Sequence, residues 1–259
     1  MLPQPSESFF WTQEAWGPAL RCRPVMAVAP HLFTTRAISV GRLPGDRALA
    51  SVAASLGMTP QQIVQVHQVH GRNIVEVRAG EPTAARDADV LISSDPGRAV
   101  GVRIADCLPV LLADDTGRTV GAVHAGWRGV ARRAALAAVM RMHERFGLRP
   151  ERLVAGVGPS IGACCYEVGE DVRTVFRAEG HADRLLDEWF VPSAGGKLRL
   201  DLWRAIRDQL EGAGLMPGHI FQSGLCTACH PGAFHSYRRD GAGAGRLAGV
   251  IRCNQDRRS

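Results

Sequence analysis

The stretch ADCLPVLLADDTGRTVGAVHAGWRG, residues 105–129, sets Cys107 beside Asp106 at the start of one apolar run and His124 near the end of the next. The runs CLPVLLA and RTVGAVHA flank Asp114, Asp115, Thr116 and Gly117, turn chemistry that predicts a β-hairpin. The midpoint between positions 107 and 124 falls inside that turn. An antiparallel ladder then places Cys107 opposite His124, on one face, with Cβ atoms about 5 Å apart. Two chemistries use such a pair. Zn²⁺ takes thiolate and imidazole in a tetrahedral shell and, in catalytic sites, keeps one of its four positions open. Alternatively, His124 deprotonates Cys107 for nucleophilic attack on a carbonyl. A buried thiol that merely packs beside a core histidine is the plain alternative.

A third donor would favour the metal, and QVHQVHG offers His67 and His70. Three residues apart on a strand they face opposite ways, so only one can join. His70, beside Gly71 at the strand end, is the candidate; His67 reads as a hydrogen-bonded structural histidine. After His124, Gly126, Trp127, Arg128 and Gly129 lead into a helix whose N-terminus favours an anion, with Arg128 able to grip it. A simple strand-to-helix turn with an exposed arginine is the alternative. Cys226, Cys229 and His230 have metal-ligand spacing, but no second pair follows at a suitable distance, which argues against a structural zinc. The adjacent Cys164 and Cys165 read as core thiols. Cys229→Ser is therefore expected to leave the metal content unchanged. Tyr237 and Arg238, in SYRRDG, read equally as a substrate contact or a surface turn.

The elements that must position these residues alternate along the chain. IVQVHQVHG, DADVLIS, AVGVRIA, CLPVLLA, TVGAVHA, RLVAGVG and RLAGVI have strand character. Residues 130–146 place Ala131, Ala135, Ala138, Met142 and Phe146 on one helical stripe. In DLWRAIRDQLEGAGL, Asp201 is the expected N-cap, Leu202, Ile206 and Leu210 form the buried stripe, and Gly212 or Gly214 ends the helix. The pattern is mixed α/β with an antiparallel contribution from hairpins.

Composition narrows the function. The 259 residues, 46% hydrophobic, are enough for a substantial core. The net charge of +6 is spread along the chain without a basic run, so no nucleic-acid partner is expected. Lys197 is the only lysine and lies in SAGGKLRL, a loop entering a strand, which disfavours Schiff-base and P-loop chemistry. Seven cysteines at irregular spacing do not make a secreted disulfide framework. The N-terminus lacks the pattern of a signal peptide, and no apolar run has membrane-spanning length. A cytoplasmic protein with reduced thiols and no membrane partner is expected.

Six motifs in order, QVHG (68–71), ADCLPVLLAD (105–114), VHAGWRG (123–129), GPSIGACCYEVG (158–169), DLWRA (201–205) and CTACHPGAFHSYRRDG (226–241), resemble those of the YfiH or laccase-domain family across residues 60–251. The resemblance implies a single-domain, mixed-sheet α/β sandwich with a cysteine-hydrolase-like fold over residues 1–259, with 1–25 as an N-terminal extension. It implies zinc held by His70, Cys107 and His124, with copper as an in vitro substitute. Implied activities are phosphorolysis of adenosine, inosine, guanosine and methylthioadenosine, and deamination of adenosine. The alternatives are a hydrolase that removes a wrong amino acid from UDP-MurNAc-amino acid, using zinc-activated water or a Cys107 nucleophile, and a polyphenol oxidase. Carried over, Cys107, His124 and Asp106 are the catalytic candidates, and Arg36, Ser39, Arg128, Ser160 and Arg238 the candidates for substrate and phosphate. Asp106 would face away from Cys107 on a regular strand and so reads also as structural. Residues 33–58 keep Thr35, Arg36 and Ser39 but lack the family's Ser-Leu-Asn-Leu-Gly segment and Asn-Arg pair, a departure that bears on phosphorolysis. The nine histidines include no His-x-His pair, which does not suit a multicopper cluster. The expected partner is a small-molecule substrate, and the oligomeric state is left open.

Overall fold

Strand Leu108–Asp114 is buried along its whole length, as befits a strand covered on both faces. Its side chains divide by parity. Leu111 and Ala113 join a core that also contains Phe33, Val102, Ile104 and Ile251, whereas Val110 and Leu112 join a core shared with helical residues. The computed structural model, which describes residues 1–41, 46–78 and 86–254, explains this division by two stacked sheets.

The first sheet has six strands in the order Phe9–Glu14, Gly17–Cys22, His31–Phe33, Leu247–Arg252, Ala99–Ile104, Ile63–Val64. The second has Ile220–Gln222, Leu153–Val157, Leu108–Asp114, Val120–Ala125, Val90–Ser93, Ile74–Val77. Both are mixed: Ile63–Val64 runs parallel to its neighbour, as do Ile220–Gln222 and Ile74–Val77, while the other pairs are antiparallel. Helices Ala134–Phe146 and Leu202–Gly212 cover the outer face of the second sheet, and Arg47–Ala54 covers that of the first. The mixed α/β sandwich is as expected. Among the described residues no helix is long and apolar enough to cross a membrane.

Four local expectations change. Residues 9–22, read as part of an extension, form an edge hairpin of the first sheet. IVQVHQVHG is a strand only at Ile63–Val64, with one further bridge at His67. The expected helix over 130–146 begins at Trp127 and breaks after Ala131, because Arg133 takes a left-handed φ of 57° to give its guanidinium to the carbonyls of Glu179 and Gly180. Finally, the hairpin register pairs Pro109 with His124 and Leu108 with Ala125, so Cys107 stands diagonal to His124 rather than opposite it. The turn is centred one residue further along than expected: Asp114 still bonds Thr119, with its carboxylate also accepting the Thr119 N–H. By contrast, Asp201 caps Leu202–Gly212 through the Arg204 N–H at 3.0 Å, and Leu202, Ile206 and Leu210 are buried as expected.

His31 is fully buried in this framework. Its Nε2 accepts the Cys22 N–H at 2.9 Å and its Nδ1 faces the Ala29 carbonyl at 3.1 Å. Burial pushes the imidazole down to about 4, against the pull of the Ala29 carbonyl. The unfolded chain binds a proton near pH ~6.5 that the folded chain refuses. Stability is therefore complete above about pH 6.5 and falls as pH drops towards about 4, by up to about 3 kcal/mol. Urea titrations at pH 7.5 and 5 are expected to show a steeper loss in the native protein than in His31→Gln; equal losses would refute the assignment.

Candidate metal centre and its cleft

The three expected donors converge at the rim of the layer between the two sheets. Strand Val120–Ala125 alternates, with Val123 and Ala125 towards the helices, so His124 faces the intersheet layer, against which Cys107 also packs. One donor atom from each of His70, Cys107 and His124 lies within 4.8 Å of the others. The two imidazole rings meet edge to face at 4.8 Å. His124 is buried, Cys107 half-buried and His70 exposed, so the set opens on one side.

Two of these positions depend on unusual backbone. His70 has a φ of 60° and Asp106 a φ of 87°, conformations that cost a non-glycine residue about 1–3 kcal/mol. Each is held by a carboxylate. Asp89, fully buried, accepts the N–H groups of Val69, His70 and Gly71 at 3.3, 2.9 and 2.6 Å. The same carboxylate accepts from His124 Nδ1 at 2.7 Å, which leaves Nε2 for the centre. Asp89 thereby fixes both histidines, a supporting carboxylate typical of metal-bound imidazoles. Sequence reasoning missed it; the only sign was an aspartate immediately preceding the apolar run VLIS.

Asp106 does not follow the regular-strand expectation, because Ala105–Cys107 is a bend ahead of Leu108. Its carboxylate accepts the Thr227 hydroxyl at 2.5 Å and the Arg238 N–H at 2.6 Å, and its carbonyl accepts the Ile161 N–H at 2.9 Å. Burial pushes the Cys107 thiol up, but the charge of His124 and hydrogen bonds with His124 and His70 outweigh it and bring the thiol down to about 6. Burial likewise opposes the charge on His124, which Cys107 and Asp89 more than restore. The trio favours a thiolate beside an imidazolium when no cation is present.

A cleft of about 380 Å³ stands over the donors, within the range of small-molecule sites. His70, Asp106, Cys107, Trp127, Arg128 and Tyr166 line it, with Tyr237 and Arg238 across the mouth. The Arg128 guanidinium lies 4.2 Å over the Trp127 ring and that of Arg238 5.1 Å from the Tyr166 ring. Other expected residues sit elsewhere. Ser160 is buried behind the wall, where it accepts the Trp203 indole N–H at 2.7 Å. Arg36 bonds the Pro231 carbonyl and Ser39 accepts the Arg246 N–H at 3.0 Å; neither lines this cleft. Within the divergent 33–58 stretch, residues 42–45 lie outside the described residues. His67 pairs with Asp87 at 2.7 Å on the surface, away from the other donors.

Gly126 has no room for a side chain. A Cβ there would stand 2.9 Å from Cys107 Sγ and 3.1 Å from His70 Cδ2. Gly126→Ala is expected to displace both donors and weaken metal binding by about tenfold or more, the equivalent of a modest overpacking strain. Competition against a chelator measures this; an unchanged affinity would mean that the donors are not held where they are drawn.

A layered α/β protein with a His/Cys/His donor set in a cleft of substrate size is the class these features define. The chain belongs to the multi-copper polyphenol oxidoreductase laccase family, whose model matches residues 46–254. It is 41% identical to a purine nucleoside phosphorylase of Deinococcus radiodurans over 249 residues, covering 90% of this chain and 92% of that one. It is also 34% identical to adenosine deaminase RL5 from an unknown prokaryotic organism, over 80% of this chain and 84% of that one. The crystal structure of the hypothetical protein YfiH of Bacillus licheniformis superposes with a TM-score of 0.83 at 29% identity, covering 91% of this chain and 96% of that one.

Proposed function

We propose that the chain, acting as one unit over residues 1–259, is a zinc-dependent enzyme of purine nucleosides that deaminates adenosine and phosphorolyses adenosine, inosine, guanosine and methylthioadenosine. The observation that carries the reading is the convergence of His70, Cys107 and His124 beneath a cleft flanked by two arginines and three aromatic residues. The relatives named as a phosphorylase and as a deaminase support the substrate class. The donor chemistry fits zinc: two imidazoles and a thiol already biased to thiolate, one histidine oriented by a buried carboxylate, and an open side towards the cleft. When bound, such an ion supplies Lewis acidity and activates water near neutral pH.

The residues of the chain do the rest. Trp127, Tyr166 and Tyr237 offer ring faces and edges to a purine. Arg128 and Arg238 bring two guanidiniums to the mouth, placed to hold phosphate against the ribose and to offset charge as the glycosidic bond breaks. With both carboxylate oxygens engaged, Asp106 is a positioning residue that fixes the bend before Cys107 and the start of the Arg238 segment. The seven unpaired cysteines suit a reducing compartment such as the cytoplasm.

The oxidase reading fits poorly. Among the described residues only two groups of potential ligands converge, and one contains no histidine, whereas multicopper oxygen chemistry needs several imidazoles together. A cell-wall precursor hydrolase remains the second reading, favoured by the chain of contacts Asp89–His124–Cys107, which could activate the thiol as a nucleophile. Product analysis of metal-quantified protein given adenosine, with and without phosphate, tests both. Inosine without phosphate supports deamination, and adenine with ribose-1-phosphate supports phosphorolysis. Neither product from a zinc-loaded sample overturns the nucleoside reading and leaves the hydrolase.

A further inference from the structure

Cys164, Cys165, Cys226 and Cys229 come together in space. Their four sulfurs all lie within 4.8 Å of one another, with Cys229 Sγ at 3.4 Å from that of Cys164 and 3.3 Å from that of Cys165. This changes the sequence expectation: Cys164 is exposed rather than a core thiol, Cys226-x-x-Cys229 does have a second pair, and the expectation that Cys229→Ser leaves the metal content unchanged is therefore reversed. That pair is separated by some sixty residues of chain, and the fold removes the separation. Strands Leu153–Val157 and Ile220–Gln222 are parallel neighbours, so the loops that follow them leave the sheet side by side. The loops stay in register through Ser160 N–H to Leu225 O at 3.2 Å and Thr227 N–H to Ser160 O at 3.0 Å.

We propose that these four cysteines form a second, structural metal site for a thiophilic divalent cation of the zinc class, which pins the two loops that build one wall of the cleft. Zinc–sulfur bonds of about 2.3 Å set the edges of a tetrahedron of thiolates at about 3.8 Å, close to the 3.3 and 3.4 Å contacts of Cys229 and inside the 4.8 Å within which all four sulfurs lie. The surroundings suit thiolate ligands. Cys226 Sγ accepts the Gly162 N–H at 3.3 Å and a further backbone hydrogen bond from Cys229, the donation that bound thiolates commonly receive. Arg239, itself ion-paired with Asp240, holds the carbonyls of Thr227 and Ala228 and so fixes the backbone between Cys226 and Cys229. Cys229 lies almost equally close to Cys164 and Cys165 rather than committed to one partner, and all four are free thiols, an arrangement that suits a shared ligand better than a disulfide pairing.

The consequence reaches the cleft. The first loop carries Tyr166, which stacks with Arg238, and Glu167, whose carbonyl accepts from Arg238 at 2.9 Å. The second carries Thr227, which holds Asp106. Tying the loops at the four cysteines fixes both supports of that wall without touching substrate. This inference is independent of the nucleoside reading.

Metal analysis of the full-length protein, purified under reducing conditions from zinc-supplemented cells, tests it. About two zinc ions per chain are expected in the native protein, falling by about one in Cys229→Ser and in Cys226→Ser, and by about one in Cys107→Ser. Cobalt exchanged into Cys107→Ser should retain strong thiolate-to-metal charge-transfer absorption. Since Cys226 is buried and its variant is at risk of misfolding, Cys164→Ser and Cys229→Ser, at exposed positions, carry the test. Zinc content unchanged in both, or a native protein short by about two hydrogens in mass and without this second ion, overturns the proposal. If Cys107→Ser loses nothing while Cys229→Ser loses the only zinc present, the second site stands and the His70–Cys107–His124 assignment falls.

Discussion

Cys107→Ala is expected to empty the His70–Cys107–His124 centre and lower turnover of adenosine by at least about a thousandfold, or about 4 kcal/mol in the barrier. The thiolate is the only anionic donor of the three, so its loss leaves two neutral imidazoles to hold a dication, one of them on an exposed loop. Folding should be little affected, because Cys107 precedes the strand and contributes only the edge of the intersheet core. Metal analysis beside a single-turnover assay separates the outcomes. Metal and activity lost together support the ligand assignment. Full metal with activity abolished would take Cys107 out of the ligand set and make its thiol a catalytic group, and full metal with activity intact removes Cys107 from the chemistry altogether.

Much of this centre was legible in the sequence because its parts obey local rules. Turn chemistry at residues 114–117 announced the hairpin that carries His124, and the apolar alternation around it announced a buried strand. The register came out two residues away because the turn is centred one residue further along the chain than the midpoint argument placed it. Cys107 nevertheless remained near His124, since a shift of two preserves the face. His70 rather than His67 stands beside Cys107 and His124, yet the strand on which that expectation rested ends at Val64, and His70 sits in a left-handed turn instead. What escaped the sequence is whatever depends on chain segments meeting at a distance. Asp89 is an ordinary strand-end aspartate until Val90–Ser93 pairs with Val120–Ala125 and sets it behind His124. The four cysteines of the further site stay two unrelated pairs until parallel strands bring their loops together. Arg36 and Ser39 came from the family resemblance, and in the structure they bond Pro231, Ala233 and Arg246 away from this cleft.

Asp89→Asn should weaken metal binding by about 10- to 100-fold and destabilise the fold by about 3 kcal/mol or more. The carboxylate serves four donors at once: His124 Nδ1 and the N–H groups of Val69, His70 and Gly71. Burial raises its pKa, and the hydrogen bonds from His124 and the His70–Gly71 backbone outweigh that and hold it below the usual carboxylate range. An amide of the same shape has one acceptor oxygen and must aim an NH₂ at a donor, so at least one buried N–H is left opposed. Two effects on the centre follow. The His70 loop loses the anion that holds its positive φ, and the one remaining oxygen can serve either His124 Nδ1 with the His70 N–H or the N–H groups of Val69 and Gly71, so the His124 ring and the loop now compete for it. Chelator competition under conditions where the variant remains folded, together with ¹⁵N shifts of the His124 ring, distinguishes these from simple destabilisation. A variant less stable in urea but unchanged in metal affinity and in its His124 tautomer would confine Asp89 to the fold. A loss of affinity with altered ring shifts would establish that a residue touching neither substrate nor metal sets the orientation of both histidines.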